Sequence, residues 1–310
     1  MIYCFDKEDL GIDAPYNVFV IQEKYARQIS RVCVLNSKVG ELTDITGGRI
    51  SDLRGEQVFL RASYDRMLYD IEILESLGAR MLETKSDIES IENWPALGLT
   101  KRRIVRTTLD NLSDCISIFL GKETLFVKTM HKGTNMVVKR ESLENHDSNE
   151  YRLLEEACPK YGEELLVSEK AEMKSDSMGK RESRHFFLGG ELISSSRYVY
   201  GIRHKVPTSH IHKAKEIAQV MKNISFPKNF VLDVGDFIDS EGNSYTDIVE
   251  FNPLTCSECY VGNSIFSKRI EVIDEVYQQY RIGNEFCYDL LERPDKYSLE
   301  KVSNRSYQYT

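Results

Sequence analysis

The sequence predicts a mixed α/β (α+β) chain assembled from short strands that are followed by helices or joined through tight turns. Three observations carry that prediction. Residues 1–95 alternate apolar runs of strand length with a helical stripe, Glu182 to Tyr198 reads as strand, Gly-Gly turn, strand, and Phe230 to Leu254 reads as two strands around Ser240-Glu-Gly-Asn243. The 310 residues are enough for two or three packed subdomains, and an apolar fraction of 41% is enough for a core.

Along the chain, Asn17 to Gln22, Ser30 to Leu35 and Gln57 to Arg61 are the first strand candidates. Met67, Ile71, Leu74 and Leu77 then fall on one face of a helix over Tyr64 to Leu77, which Gly78 stops. Thr46-Gly-Gly-Arg49 lacks both G-x-G-x-x-G and the Walker spacing and reads as a turn. Pro95 and Gly98 mark a boundary at Asn93 to Leu99, after which Thr100 offers a cap for a helix through about Asn111, with Lys101 in its first turn. Leu125 to Met130 is a buried strand carrying Lys128, and a lysine there needs an anion to meet it. His131-Lys-Gly-Thr-Asn135 comes next as a loop whose backbone N–H groups can close on phosphates.

Glu163 to Glu172 is a strand ending in acids, and in the Gly-Gly hairpin Glu182 and Arg184 share one face, as do Ser194, Ser196 and Tyr198, with Arg197 opposite. Thr208 to Asn223 is a helix with Ile211, Ala214, Ala218 and Met221 on one side. It leads to the hairpin on which the site is centred. Asp233 lies inside its first strand, and Glu250 and Asn252, two apart on the second, point the same way. Carboxylates and an amide oxygen are hard ligands of the kind Mg²⁺ takes. Beyond Leu254 an amphipathic helix carries Ile270, Ile273, Val276 and Tyr280.

Composition narrows the function. A net charge of −8 argues against a surface coated with nucleic acid, although Lys101 to Arg106 and Lys180 to Arg184 are basic enough to leave local contacts to nucleic acid open. No apolar run approaches the roughly 20 residues of a membrane helix, and the start lacks the pattern of a signal peptide, so no membrane partner is expected and the cytoplasm is the expected compartment. Seven scattered cysteines suit reduced thiols, and the lone Cys256-x-x-Cys259 lacks the second pair of a zinc ribbon.

A strand lysine, a strand acid and a closing D...E-x-N-P pair of strands resemble the ATP-grasp superfamily, and E-x-R, strand, Gly-Gly, strand, S-x-S-R-Y resembles its clade named for two arginines and a lysine. The resemblance covers about residues 93–265. It implies a nucleotide clasped by two α+β subdomains, 96–165 and 166–310, behind an N-terminal α/β unit at 1–95. By the same resemblance Lys101, Lys128, Lys132 and Gly133 face the ATP phosphates, with Arg102 and Arg103 as rivals of Lys101. Glu169 holds the ribose, with Glu172 in reserve, Glu182 adjoins the nucleotide, and Asp233, Glu250 and Asn252 hold Mg²⁺. Arg184 is implied as a ligand of phosphate or acyl phosphate, and Arg197 and Arg203 as ligands of an anionic substrate. Most such proteins join a carboxylate to an amine through an acyl phosphate. A phosphotransferase acting on a nucleic-acid end or a small molecule, and a nucleotide-binding protein without turnover, are the alternatives.

Overall fold

The computed structural model describes residues 2–10, 31–129, 134–161, 164–177, 179–197, 205–239 and 241–257. The strand expected at Asn17 to Gln22, the loop residues Lys132 and Gly133, Arg203, and the helix expected after Leu254 lie outside them. Two compact units divide the chain: Met1–Leu82 with Ile193–Lys205 and Thr255–Thr310, and Glu83–Leu192 with Val206–Leu254.

In the first unit, β1 (Ile2–Asp6) is followed by a single helical turn, α1 (Lys7–Leu10), and by β2 (Arg31–Asn36), β3 (Glu41–Asp44), β4 (Arg49–Ile50), β5 (Gln57–Arg61), α2 (Met67–Ser76) and β6 (Arg80–Met81). The strands form one sheet in the order β4-β3-β2-β1-β5-β6, with β1 parallel to β2 and to β5. The sequence pattern finds β2 and β5 but passes over β1. Every residue of β1 is buried, so it lacks the alternation that marks a half-exposed strand. Met67, Ile71 and Leu74 of α2 are buried as their spacing predicts. Gly78 ends the helix region with φ +88°, where a Cβ would meet the Arg54 Cγ at 2.6 Å.

One group on α2 breaks the apolar pattern. Asp70 is fully buried, and among the described residues neither of its carboxylate oxygens has a hydrogen-bond partner. Burial first, then the neighbouring Asp6 and Asp9 charges, push its pKa up to about 8, with Arg66 acting in the opposite sense. Held as an acid, it can donate to Asp6, which accepts from the Ser37 hydroxyl (2.7 Å) and Arg66 (2.9 Å).

The second unit opens with α3 (Lys85–Glu92), whose Thr84 and Asp87 form a reciprocal capping box, and a 3₁₀ turn at Trp94–Leu97. Next come β7 (Ile104–Thr108), α4 (Leu112–Ser117), β8 (Thr124–Thr129), β9 (Asn135–Lys139), α5 (Arg140–Glu144), α6 (Asn149–Tyr161) and β10 (Glu164–Glu169). The helix expected from Thr100 to Asn111 is absent. Ile104-Val-Arg-Thr-Thr108 is a strand rich in β-branched residues, and the Thr100 hydroxyl that looked like a cap bonds Asp247 instead. The four strands form an antiparallel sheet, β7-β10-β8-β9. Leu125 and Val127 of β8 join Ile116, Leu143, Leu154, Leu165 and Val167 in one core, so Lys128 lies on the opposite face.

The remaining strands are β11 (Glu172–Met173), β12 (Ser175–Asp176), β13 (Gly179–Lys180), β14 (Glu182–Leu188) and β15 (Glu191–Arg197), followed by α7 (Thr208–Lys222), β16 (Phe230–Ile238) and β17 (Ser244–Asn252). β15 passes into the first unit at Ile193. Gly189 and Gly190 have φ of 57° and 81°, as a two-residue hairpin turn requires. β16 pairs antiparallel with β14 and β17. Phe187, Phe230, Leu232, Val234, Ile248 and Phe251 pack on one side of this sheet with Ala214, Ile217, Ala218 and Met221 of α7. The buried face of α7 includes His210 and leaves Ile211 only half-buried, a rotation from the face expected from the sequence.

Among the described residues no helix is long and apolar enough to cross a membrane.

Candidate active site

The register of the last hairpin gathers the polar residues. Asp233 pairs with Glu250, but Val234 pairs with Ile248, so Val249 is an extra residue on β17. This bulge resets the alternation. Ile248 and Phe251, three apart, both reach the apolar layer under α7, while Tyr245, Asp247, Glu250 and Asn252 all face the other way, with Glu182 and Arg184 of β14 and Asp233 of β16.

On that face a chain of contacts joins five of the residues expected from the sequence. Arg184 grips Asp233 bidentately, Nε to Oδ1 at 2.8 Å and Nη2 to Oδ2 at 2.7 Å, with both side chains buried. The Asn252 amide donates to Asp233 Oδ2 (3.1 Å) and Glu250 Oε1 (3.2 Å), and Lys128 Nζ lies 3.4 Å from Glu250 Oε2. The anion that a strand lysine needs is therefore Glu250. Glu182 completes the group: burial and then the Asp233 and Glu250 charges push its carboxyl up to about 8, partly offset by Arg184 and Lys180.

With Glu182 held largely as the acid near neutral pH, Asp233 and Glu250 offset Arg184 and Lys128, and what fits a hard divalent cation on this face is its set of oxygen ligands rather than an excess of charge. Among the described residues no set of three or more His, Cys, Asp and Glu side chains converges on one metal position. A cation here would therefore use the oxygen of Asn252, presented by a half-turn of its amide, beside Glu250 and Asp233. Asp233 is already engaged by Arg184 on both oxygens, so Glu250 and Asn252 are the more available ligands.

A cleft of about 440 Å³ lies at the other end of the same face, within the usual range of about 300–1,000 Å³ for small-ligand sites. It is lined by Lys101, Lys122, the run Glu169-Lys-Ala-Glu172 where β10 ends, and Ile238, Asp239 and Tyr245 of the last hairpin. Of the three adjacent cations, only Lys101 lines it. Arg102 turns its Nη2 to the Ile248 and Val249 carbonyls, and Arg103 donates to the Ile118 carbonyl. Glu169, expected at a ribose, is paired with Lys122 at 2.6 Å. Lys122, Lys170 and Tyr245 were not anticipated from the sequence, because they come from three separate loops and strands and no spacing connects them. Arg197 is buried and belongs to the first unit.

The opposite face of the sheet carries a Ser–His–Asp string. Ser183 Oγ is 2.7 Å from His210 Nδ1 and 2.8 Å from His185 Nε2, and His210 Nε2 is 3.1 Å from Asp236 Oδ1. Ser183, His185 and His210 have no exposed surface, and burial followed by the His210 charge pushes His185 down to about 3. No substrate reaches this serine, so the string is a polar pin between sheet and helix rather than a hydrolase centre.

Comparison with known proteins agrees with the position of the hairpin. Residues 99–266 match the ATP-grasp domain, family 2 of the clade named for two arginines and a lysine. No curated protein matches the sequence. Among solved structures, the chain is similar to the D-cycloserine synthetase DcsG, at TM-score 0.55 and 14% identity over 94% of this chain and 99% of that one. It is also similar to D-alanyl-alanine synthetase A from Vibrio cholerae O1 biovar eltor, at 0.54 and 13% over 93% and 96%. The D-alanine-D-alanine ligase from Coxiella burnetii gives 0.53 and 13% over 96% of each chain. At such identities the likeness is one of fold.

Proposed function

The chain belongs to the ATP-grasp superfamily, in the second family of the clade named for two arginines and a lysine, and from that premise we propose that it is an ATP-dependent ligase joining a carboxylate to an amine. One observation carries the proposal: a single sheet face presents a cleft at Tyr245 and a charged cluster at Glu250, five residues and roughly 16 Å along the strand. A nucleotide lying along that face has its base and ribose at the cleft, near Glu169 or Glu172, and its phosphates at Lys101 and Lys128. Lys132, Gly133 and Glu182 are assigned to the same nucleotide.

The reaction asks for positioning and charge rather than a protein nucleophile. A carboxylate oxygen of the substrate attacks the γ-phosphorus, and ADP leaves. The amine nitrogen then attacks the acyl carbon, phosphate departs with the C–O bond pair, and the nitrogen loses a proton. Lys128 and Arg184 offset charge at the phosphoryl group, and Arg197 and Arg203 are assigned to the acid substrate. Asp233, Glu250 and Asn252 would hold Mg²⁺, which would supply further neutralisation of the phosphates. The reading divides the chain at about 95 and 165, into an N-terminal unit and the two subdomains expected to clasp the nucleotide. It places the protein in the cytoplasm, in keeping with the thiols Cys4, Cys33 and Cys115.

The test is a screen of amino acids and short peptides, as acid and amine in pairs, for ADP release, with mass spectrometry of the products. A new amide and free phosphate appear together if the proposal holds. Phosphate left covalently on one acceptor, with no amide, would identify a phosphotransferase instead.

A further inference from the structure

The geometry points to Asp247 as a positioning residue that aims Lys101 into the cleft. This inference rests on the nucleotide-binding reading of that cleft. Asp247 is fully buried on β17, opposite Gly235, on the face shared with Tyr245 and Glu250. Its Oδ2 accepts two hydrogen bonds from the segment that enters the unit, one from the Thr100 hydroxyl at 2.6 Å and one from the Lys101 backbone N–H at 2.9 Å. The Thr100 oxygen in turn accepts from the Arg102 N–H at 3.1 Å. One carboxylate oxygen thus fixes three consecutive residues.

Arg102 shows that this arrangement serves more than charge pairing. Its guanidinium lies over the Phe237 ring at 4.8 Å and donates to two carbonyls of β17. Its Nε and the Asp247 Oδ1 are both buried, and neither has a hydrogen-bond partner among the described residues. A pair selected for stability alone would close those two atoms into a fork. Here the carboxylate is turned to the backbone of Lys101. The result is a turn with a single side chain delivered to the cleft: Lys101 Nζ sits 5.5 Å above the Tyr245 ring, and both residues line the cavity. Lys101 therefore owes its aim to a residue 146 positions away in sequence.

Isothermal calorimetry with ATP and Mg²⁺ tests this on the full chain. Lys101→Ala is expected to weaken ATP binding about tenfold, the loss of one charge-assisted contact. Asp247→Ala should weaken it by a similar factor, Asp247→Asn, which keeps an acceptor oxygen, should recover most of the loss, and Asp247→Ala added to Lys101→Ala should do nothing further. If Asp247→Ala does not fold, Thr100→Val decides: it removes one of the two bonds to Oδ2 and the Thr100 contact with the Arg102 N–H, leaves the Lys101 N–H bond in place, and should weaken ATP binding about threefold. A folded Asp247→Ala or Thr100→Val that binds ATP like wild type, or a double variant whose losses add, would overturn the role of Asp247. Wild-type protein that fails to bind ATP would instead refute the nucleotide reading itself.

Discussion

Replacing Arg184 with Met isolates the buried pair at the centre of the site. The guanidinium meets Asp233 through two bonds, of 2.8 and 2.7 Å, and the two side chains are only 4% and 0% exposed, so solvent does not screen them. Removing one partner leaves a buried charge uncompensated, which costs about 3–5 kcal/mol. Asp233→Asn leaves the guanidinium an acceptor oxygen and should cost less, about 1–3 kcal/mol. In the double variant no charge is stranded, so its loss should fall short of the sum by at least about 1 kcal/mol. Urea unfolding of the four proteins at neutral pH without nucleotide provides the numbers, with equal m-values as the check that the same transition is compared. Single losses that add to within about 0.5 kcal/mol would mean that the two side chains do not interact, and would refute the argument from burial.

Asp70 gives a pH dependence with a defined sign. Its pKa rises from 3.8 to about 8 on folding, so its contribution to stability is complete below the unfolded value and is lost as pH rises through the folded one. Between pH 6 and 8 Asp70 should contribute a fall in unfolding free energy of up to about 1.4 kcal/mol per pH unit, and Asp70→Asn should remove that part of the slope, as read by thermal or urea melts, while Glu182, also raised to about 8, keeps a slope of the same sign. Lys128→Ala should shift stability by no more than about 1 kcal/mol, because its contact with Glu250 is partly exposed, but it should abolish most of the melting-temperature increase that ATP with Mg²⁺ gives wild type. Glu250→Gln should retain the wild-type melting temperature to within a few degrees and lose at least about tenfold in ADP formation once a substrate pair is found; equal turnover would remove Glu250 from the site.

The parts of the fold that were legible in the sequence are those in which local chemistry and tertiary role coincide. Gly189-Gly190 and the Asp239 to Asn243 turn have to be turns, and the period-two placement of Glu182 with Arg184 and of Glu250 with Asn252 survives into the sheet. Misreadings arose where one signal serves two purposes. Thr100 before a charged run is the pattern of a helix cap, yet its hydroxyl is committed to Asp247, and the β-branched Ile104-Val105 pair was the better guide to the strand that forms there. The nucleotide end of the site was half visible. Lys101 and Glu169 could be named because the resemblance to the ATP-grasp superfamily implies a phosphate lysine and a ribose acid at those positions, but Lys122 and Tyr245 join them only through tertiary packing. His210 on the buried face of α7 had no sequence signal, because its partners Ser183 and Asp236 lie on two different strands.

The extra residue at Val249 makes β17 a strand whose length is counted separately by each of its faces. Seen from the apolar layer, Ile248 and Phe251 are three apart; seen from the charged side, so are Asp247 and Glu250. Deleting Val249 would restore an even pleat and leave every other residue of the strand on its present face, because the pairs Val234–Ile248 and Asp233–Glu250 would then simply be consecutive. Deleting a residue elsewhere in β17, with the bulge kept, would instead turn one flank of the strand over and exchange its charged and greasy faces. Val249 is therefore the place where β17 can lose a residue without exchanging its faces. Relatives can keep both ends of this face in use with or without the bulge, provided that any change in length falls there or in the loops.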